Sequence, residues 1–272
     1  MKSSKRKTDL KLCAMGLPAA LAFFALYIVP FGMTGWYSLL NNSFSKQFVG
    51  LQNYVRVLGN ANFRLAIKNT LIILLVTVGG ASLTAGSLAY LLLRVRRRLL
   101  ALCILVLPLF IPSVSVTTLW QAVFRTSAFS SAVSAYCALV SLYLWKYSGT
   151  AAALLYAGLR GLDRDILCAA ALDGAGEVRT YLCISLPCIA GHVGLMLLVL
   201  LMYAFQLYKE SYLLFGAYPC RSMYMIQHYI GNHFNKLNFQ NVAASAVSLT
   251  LISAVLYLLA APLLMKRERR LP

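Results

Sequence analysis

The chain contains few residues that could move protons, bind metals or attack a substrate. Its seven carboxylates are Asp9, Asp163, Asp165, Asp173, Glu177, Glu210 and Glu268, and its three histidines are His192, His228 and His233. No two carboxylates share an apolar run. His228 and His233 stand five apart, not at the i, i+4 spacing that puts two ligands on one helix face. The seven cysteines (Cys13, Cys103, Cys137, Cys168, Cys183, Cys188 and Cys220) form no CxxC pair and read as small buried hydrophobes without disulfides. Neither a catalytic constellation nor a metal centre is expected. A G-x-x-x-x-G-K-[ST] phosphate loop is missing too, so ATP hydrolysis of that class is not expected of this chain.

Two charges remain that stand where charge is costly. Lys146 interrupts an otherwise uncharged stretch, 126–159, fourteen positions before Arg160. On a helix that is ~21 Å from the basic end. An ammonium at such depth faces a cavity or a partner, which makes it a functional candidate. Glu210, at the far end of the next apolar run, is the carboxylate that could neutralise it. Around the two stand Trp145, Gly149, Tyr203, Phe205, Gln206 and Tyr208. Aromatic rings suit the apolar C–H faces of a solute, while amides and charges suit its hydroxyls. These eight residues are the candidates for a transport path. An aromatic stripe is more often packing, and Tyr208 or Tyr212 would also fit a belt at the membrane interface.

The elements that must position these residues are apolar helices. With 60% hydrophobic and 12% charged residues in 272, the composition is that of a membrane chain. Nothing is charged between Lys11 and Lys46, Lys68 and Arg94, or Arg98 and Arg125. The same holds for 180–208 and 237–265, and 126–159 carries only Lys146. Each run holds the ~20 residues that a spanning helix needs. Six spans are expected: Cys13–Leu40, Asn69–Leu93, Leu99–Phe124, Ser131–Leu159, Pro187–Leu214 and Asn241–Met265. Prolines 18 and 30 should kink the first, and the third carries Pro108 and Pro112. The second is rich in small residues, with Gly79 to Gly86 suited to close helix approach. Residues 213–240 are expected to be an external loop.

Sixteen of the 25 Lys and Arg residues fall on the side of the N-terminus and eight on the other, Lys146 being the remaining one. Both termini are therefore expected in the cytoplasm. Basic tails at 1–11 and 266–272 would flank a membrane domain at 12–265. The net charge of +18 flanks apolar spans instead of forming one face, which excludes nucleic acid as the natural partner.

One long polar interruption lies on the cytoplasmic side, within 160–186. Asp163 is placed to cap a short helix, with Asp165 in its first turn near the positive end of the dipole. Residues 166–172 are good helix formers, and Gly174 is placed to end the helix in the left-handed conformation. A second helical start follows at Gly176-Glu177, and Pro187 suits the first turn of the next apolar helix. A short helix, a glycine hinge and a second helix, too polar to cross a bilayer, suit docking into a groove of another protein.

Ala169-Ala170-Ala171-Leu172-Asp173-Gly174-Ala175, followed by Ile184-Ser185-Leu186-Pro187, resembles the coupling-loop signature of bacterial ATP-binding-cassette importer permeases. Cys168 stands where that family usually has glutamate, and Asp163 where proline is common. Phe48-Val49-Gly50-Leu51-Gln52-Asn53-Tyr54, with Asn69-Thr70 further on, is similar to the stretch before the second helix of the carbohydrate-uptake branch. Trp145-Lys146-Tyr147-Ser148-Gly149 resembles a W-K-Y-T-G of the same branch.

The resemblance implies an all-α integral membrane protein of the type I importer permease fold. It would have six transmembrane helices and a cytoplasmic coupling helix between spans four and five. The implied activity is import of a sugar or sugar-like solute by alternating access. Coupling to a separate cytoplasmic ATPase would run through 163–176, with Asp163, Asp165, Cys168, Ala169, Ala170, Asp173, Gly174 and Ala175 as the coupling residues. The implied partners are a second homologous permease, two copies of the ATP-binding subunit, an extracytoplasmic solute-binding protein and the bilayer of the bacterial cell membrane. ATP and magnesium would sit on the ATPase and no cofactor on this chain. An ion-coupled secondary transporter is the rival reading. It would want acidic residues inside spans, and Glu210 is the sole candidate. A membrane enzyme would want the carboxylate or histidine cluster that is missing.

Overall fold

The computed structural model describes residues 16–41, 47–124 and 131–265. The expected basic tails lie outside these, as do Cys13, Lys46 and Arg125. The described residues are almost wholly helical, with one isolated bridge between Leu40 and Phe48.

The helices in order are α1 Gly16–Ser38, α2 Gln52–Gly59, α3 Ala61–Leu92 and α4 Arg98–Val106. Then come α5 Ser113–Phe124, α6 Ala132–Arg160, α7 Arg164–Leu172 and α8 Glu177–Thr180. Last are α9 Ala190–Gln206, α10 Tyr208–Phe215, α11 Ile226–Asn235 and α12 Phe239–Met265. Two compact units divide them: 1–63 with 230–251, and 64–229 with 252–272.

In the first unit, α1 leaves its apolar side chains exposed all round, as a helix with apolar surroundings does. A π-helical turn, Phe24–Ile28, precedes Pro30, where the proline lacks an N–H to donate. The Phe48–Tyr54 stretch acts here as a clasp. Gly50 supplies a left-handed turn at φ +58°, and the buried Asn53 donates to the carbonyls of Ser38 and Leu40 at 2.9 and 2.8 Å. Tyr54 and Ser38 share a hydrogen bond of 2.6 Å.

In the second unit α6 is central, packing against α9, α4 and α5. Ala135, Leu139, Leu142, Tyr143, Ala152 and Leu155 bury the face of α6 in the core, with Met196, Leu200 and Ala204 of α9 in the same cluster. The small residues of α3 are used unevenly, and a Cβ on Gly80 would stand 3.4 Å from Leu144 of α6. Gly79 is exposed, and the fully buried stripe is Ala81, Ala85 and Ala89 at i, i+4, i+8. Asn69 and Thr70 tie this helix to the segment before α11. Asn69 Nδ2 donates to the carbonyls of Arg221 and Tyr224 at 2.7 and 3.0 Å, and Thr70 accepts from the Ile226 amide at 3.0 Å.

Several expected boundaries move. The second span begins at Ala61, because Asn60 caps it by accepting from the Asn62 amide at 2.9 Å. The third is not one helix. Arg98–Phe110 and Ser113–Phe124 meet at 92°, since Ile111 is extended before Pro112 and Pro112 has no amide to continue the ladder. The fifth begins at Ala190, after a π-helical turn Tyr181–Ser185 and a short turn Leu186–Cys188 that holds Pro187. Residues 213–240 contain α11 and are not simply a loop.

Among the described residues four helices are long and apolar enough to cross a membrane, or five if the bent pair counts as one span. α6 is equally long, but its polar residues keep it from qualifying on apolarity. The helices are compatible with the six expected spans.

Candidate functional site

Lys146 and Glu210 meet inside the second unit, carried by α6 and α10. Lys146 Nζ lies 2.9 Å from Glu210 Oε1, and the two side chains are 6% and 2% exposed. Ser113, the first residue of α5 after the proline break, completes the cluster. It accepts from Lys146 Nζ at 2.9 Å and donates its own hydroxyl to Glu210 Oε1 at 2.7 Å. Tyr147 donates to the same oxygen at 3.5 Å. Glu210 Oε2 is buried with no hydrogen-bond partner among the described residues. The break at Ile111-Pro112 thus has a direct consequence, because it starts a helix, with its positive end, beside a buried carboxylate.

The other path candidates divide. Tyr203 stacks on Tyr147 at 4.4 Å and so borders the charged pair. Gly149 is buried against α4, where a Cβ would collide with the Leu105 carbonyl oxygen, so its role here is a close helix approach. Trp145 is 40% exposed and lies 5.2 Å from Trp120. Phe205 packs on Tyr257 at 6.1 Å, and Gln206 is exposed. Tyr208 belongs to a separate aromatic group, 5.8 Å from Tyr212 and 4.9 Å from His228. Sequence reasoning missed Ser113 as a member of the cluster, because a serine 33 positions from the lysine carries no signal until the chain bends.

The cytoplasmic loop folds as its residues dictate. Asp163 caps α7 by accepting from the Asp165 amide at 3.1 Å. At the other end Gly174 takes φ +75°. Its amide donates to Ala171 at 3.1 Å and that of Ala175 to Ala170 at 3.0 Å, the paired bonds of a Schellman ending. In α7 only Ala170 is buried. Asp163, Asp165, Cys168, Ala169, Asp173 and Gly174 are exposed, and Ala175 is half-buried. Ile166, Leu167 and Leu172 stand 40%, 37% and 89% exposed, and Val178 of α8 60%.

A bent span, a buried ion pair and an exposed helix between two apolar helices describe a multi-pass membrane component. The family model for the binding-protein-dependent transport system inner membrane component matches residues 82–269. The chain belongs to that family and is a permease subunit of an ATP-binding-cassette importer.

It is 26% identical over 242 residues to a trehalose/maltose transport system permease protein of Thermococcus litoralis, covering 81% of this chain and 82% of that one. To an osmoprotective compounds uptake permease protein of Synechocystis sp. it is 28% identical over 196 residues, 63% and 70% of the two chains. To an sn-glycerol-3-phosphate transport system permease protein of Escherichia coli it is 28% identical over 208 residues, 69% and 70%. The fold matches a chain in the crystal structure of a bacterial transporter involved in import of the acidic polysaccharide alginate. There the TM-score is 0.79 at 21% identity, over 98% of this chain and 99% of that one.

Proposed function

We propose that the chain carries a sugar or sugar-like solute across the bacterial inner membrane by alternating access, driven by a separate cytoplasmic ATPase that grips the loop at 163–176. The observation that carries this reading is α7, a helix capped at both ends yet exposed over nearly its whole surface. A well-formed helix with Leu172 standing in solvent suits a groove on another chain. The sugar class is supported by the relatives, one named for trehalose and maltose.

The assembly would hold a second related permease, two copies of the ATPase and an external solute-binding protein. ATP and magnesium would be bound by the ATPase, and both termini of this chain would be cytoplasmic. A secondary transporter is disfavoured because Glu210 is paired with Lys146 and not free to carry a coupling ion.

The test uses vesicles holding the complete complex with the solute captured by its binding protein. Uptake should stop when the ATPase is replaced by a hydrolysis-dead variant and survive collapse of the proton gradient. The reverse pattern would make the protein ion-coupled.

A further inference from the structure

The two halves of the cytoplasmic loop are held differently. α7 is in contact with little, whereas the stretch from Glu177 onward is moored to the end of α3. Tyr181, 8% exposed, donates its hydroxyl to the Gly86 carbonyl at 2.7 Å. Its ring lies 5.0 Å from that of Tyr90. The Arg94 guanidinium stacks 4.7 Å from the centre of the Tyr90 ring and pairs with the Glu177 carboxylate, to which Tyr90 also donates at 3.3 Å. Gly86 and Tyr90 are four residues apart on one face of α3, and Arg94 stands in the turn just beyond its end at Leu92. Tyr181 opens the π-helical turn Tyr181–Ser185, an irregularity that often marks functional positions.

We propose that the cytoplasmic end of α3, Gly86 and Tyr90 on its face with Arg94 in the turn that follows, is a second receiving point for the ATPase's push, with Glu177 and Tyr181 as its positioning residues. This rests on the docking reading of α7 above. Between the free helix and the moored stretch lie only Asp173 to Gly176. Displacing α7 further than this short hinge can absorb must therefore drag α3 or pull the Tyr181 hydroxyl off its half-buried acceptor, at the cost of that hydrogen bond. Movement then enters the bundle through α3 as well as through α6 and α9.

The test measures the movement of α3 in the assembled complex. In a chain whose native cysteines are replaced by alanine, spin labels are placed at Leu91 of α3 and Ala157 of α6, both exposed. Their distance distribution is recorded without nucleotide and with ATP and magnesium. Nucleotide should shift the distribution in the parent chain. Arg94→Glu or Glu177→Arg should cut the shifted fraction by about twofold to fivefold, the range an exposed ion pair commands. The double exchange should restore it. Tyr181→Phe, which removes only the hydroxyl, should also reduce it.

A shift that persists in both single variants, a double exchange no better than the singles, or no shift in a parent chain that does bind the ATPase would each overturn the proposal. If no ATPase binds the parent chain, the docking reading itself fails.

Discussion

Lys146 and Glu210 illustrate how a buried charge is tolerated where water is absent. Each would be expensive alone. Together, with the Ser113 hydroxyl between them and the first turn of α5 beside them, they form a neutral cluster. Removing one partner strands the other, a loss of about 3–5 kcal/mol in a buried pair. Lys146→Met should therefore lower both the melting temperature of the purified protein and uptake. Adding Glu210→Gln should recover part of the loss. Strictly additive losses in the double variant would show that the two do not depend on each other.

At the scale of elements, α7 is a helix whose ends are specified locally and whose faces, Ala170 apart, are left uncovered by this chain. Its nine residues are too few to be stable in isolation, so the caps matter more than in a packed helix. Gly174 at φ +75° is the most sensitive position, since a side chain there costs about 1–2 kcal/mol, more for a β-branched one. Gly174→Val should weaken co-purification of the ATPase while the solubilised permease keeps its melting temperature, because nothing in the core touches this residue. Full retention of ATPase by the variant would mean that the loop is shaped by its partner and not by its own caps. The α4–α5 break belongs to the same scale. Two prolines divide one apolar run into two helices at 92° and so deliver Ser113 to Glu210.

Across the whole molecule, stability should depend on acid through His228. This residue, 1% exposed on α11, accepts from the Met225 amide at Nδ1, 3.2 Å away, so a proton added there would face a donor. Burial lowers its pKa from 6.5 to about 4. The unfolded chain takes up the proton near pH 6.5 and the folded chain does not. Stability is therefore complete above pH 6.5, falls as the pH drops, and has lost roughly 3 kcal/mol by pH 4. Thermal melts between pH 7.5 and 4.5 should show the decline, and His228→Phe should flatten it. An unchanged slope in that variant would place the acid sensitivity elsewhere.

What was determined within the sequence is whatever neighbouring residues settle among themselves. Charge-free runs of spanning length dictated apolar helices, since an unpaired backbone polar group in hydrocarbon is prohibitive. Asp163 and Gly174 dictated the ends of α7 because capping is a contact between residues two to five apart. The pairing of Lys146 with Glu210 was legible because few charges were available to choose from.

Only the tertiary structure decided the rest. Pro108 and Pro112 announced a disturbance but not a right-angled break. Gly149 resembled a path residue and proved to be the place where α4 approaches α6. Asn53, Asn69 and Tyr181 became pins whose acceptors are main-chain carbonyls up to 155 positions away. A carbonyl acceptor is offered by every residue alike, so nothing in the side-chain sequence can mark which one a distant donor will find.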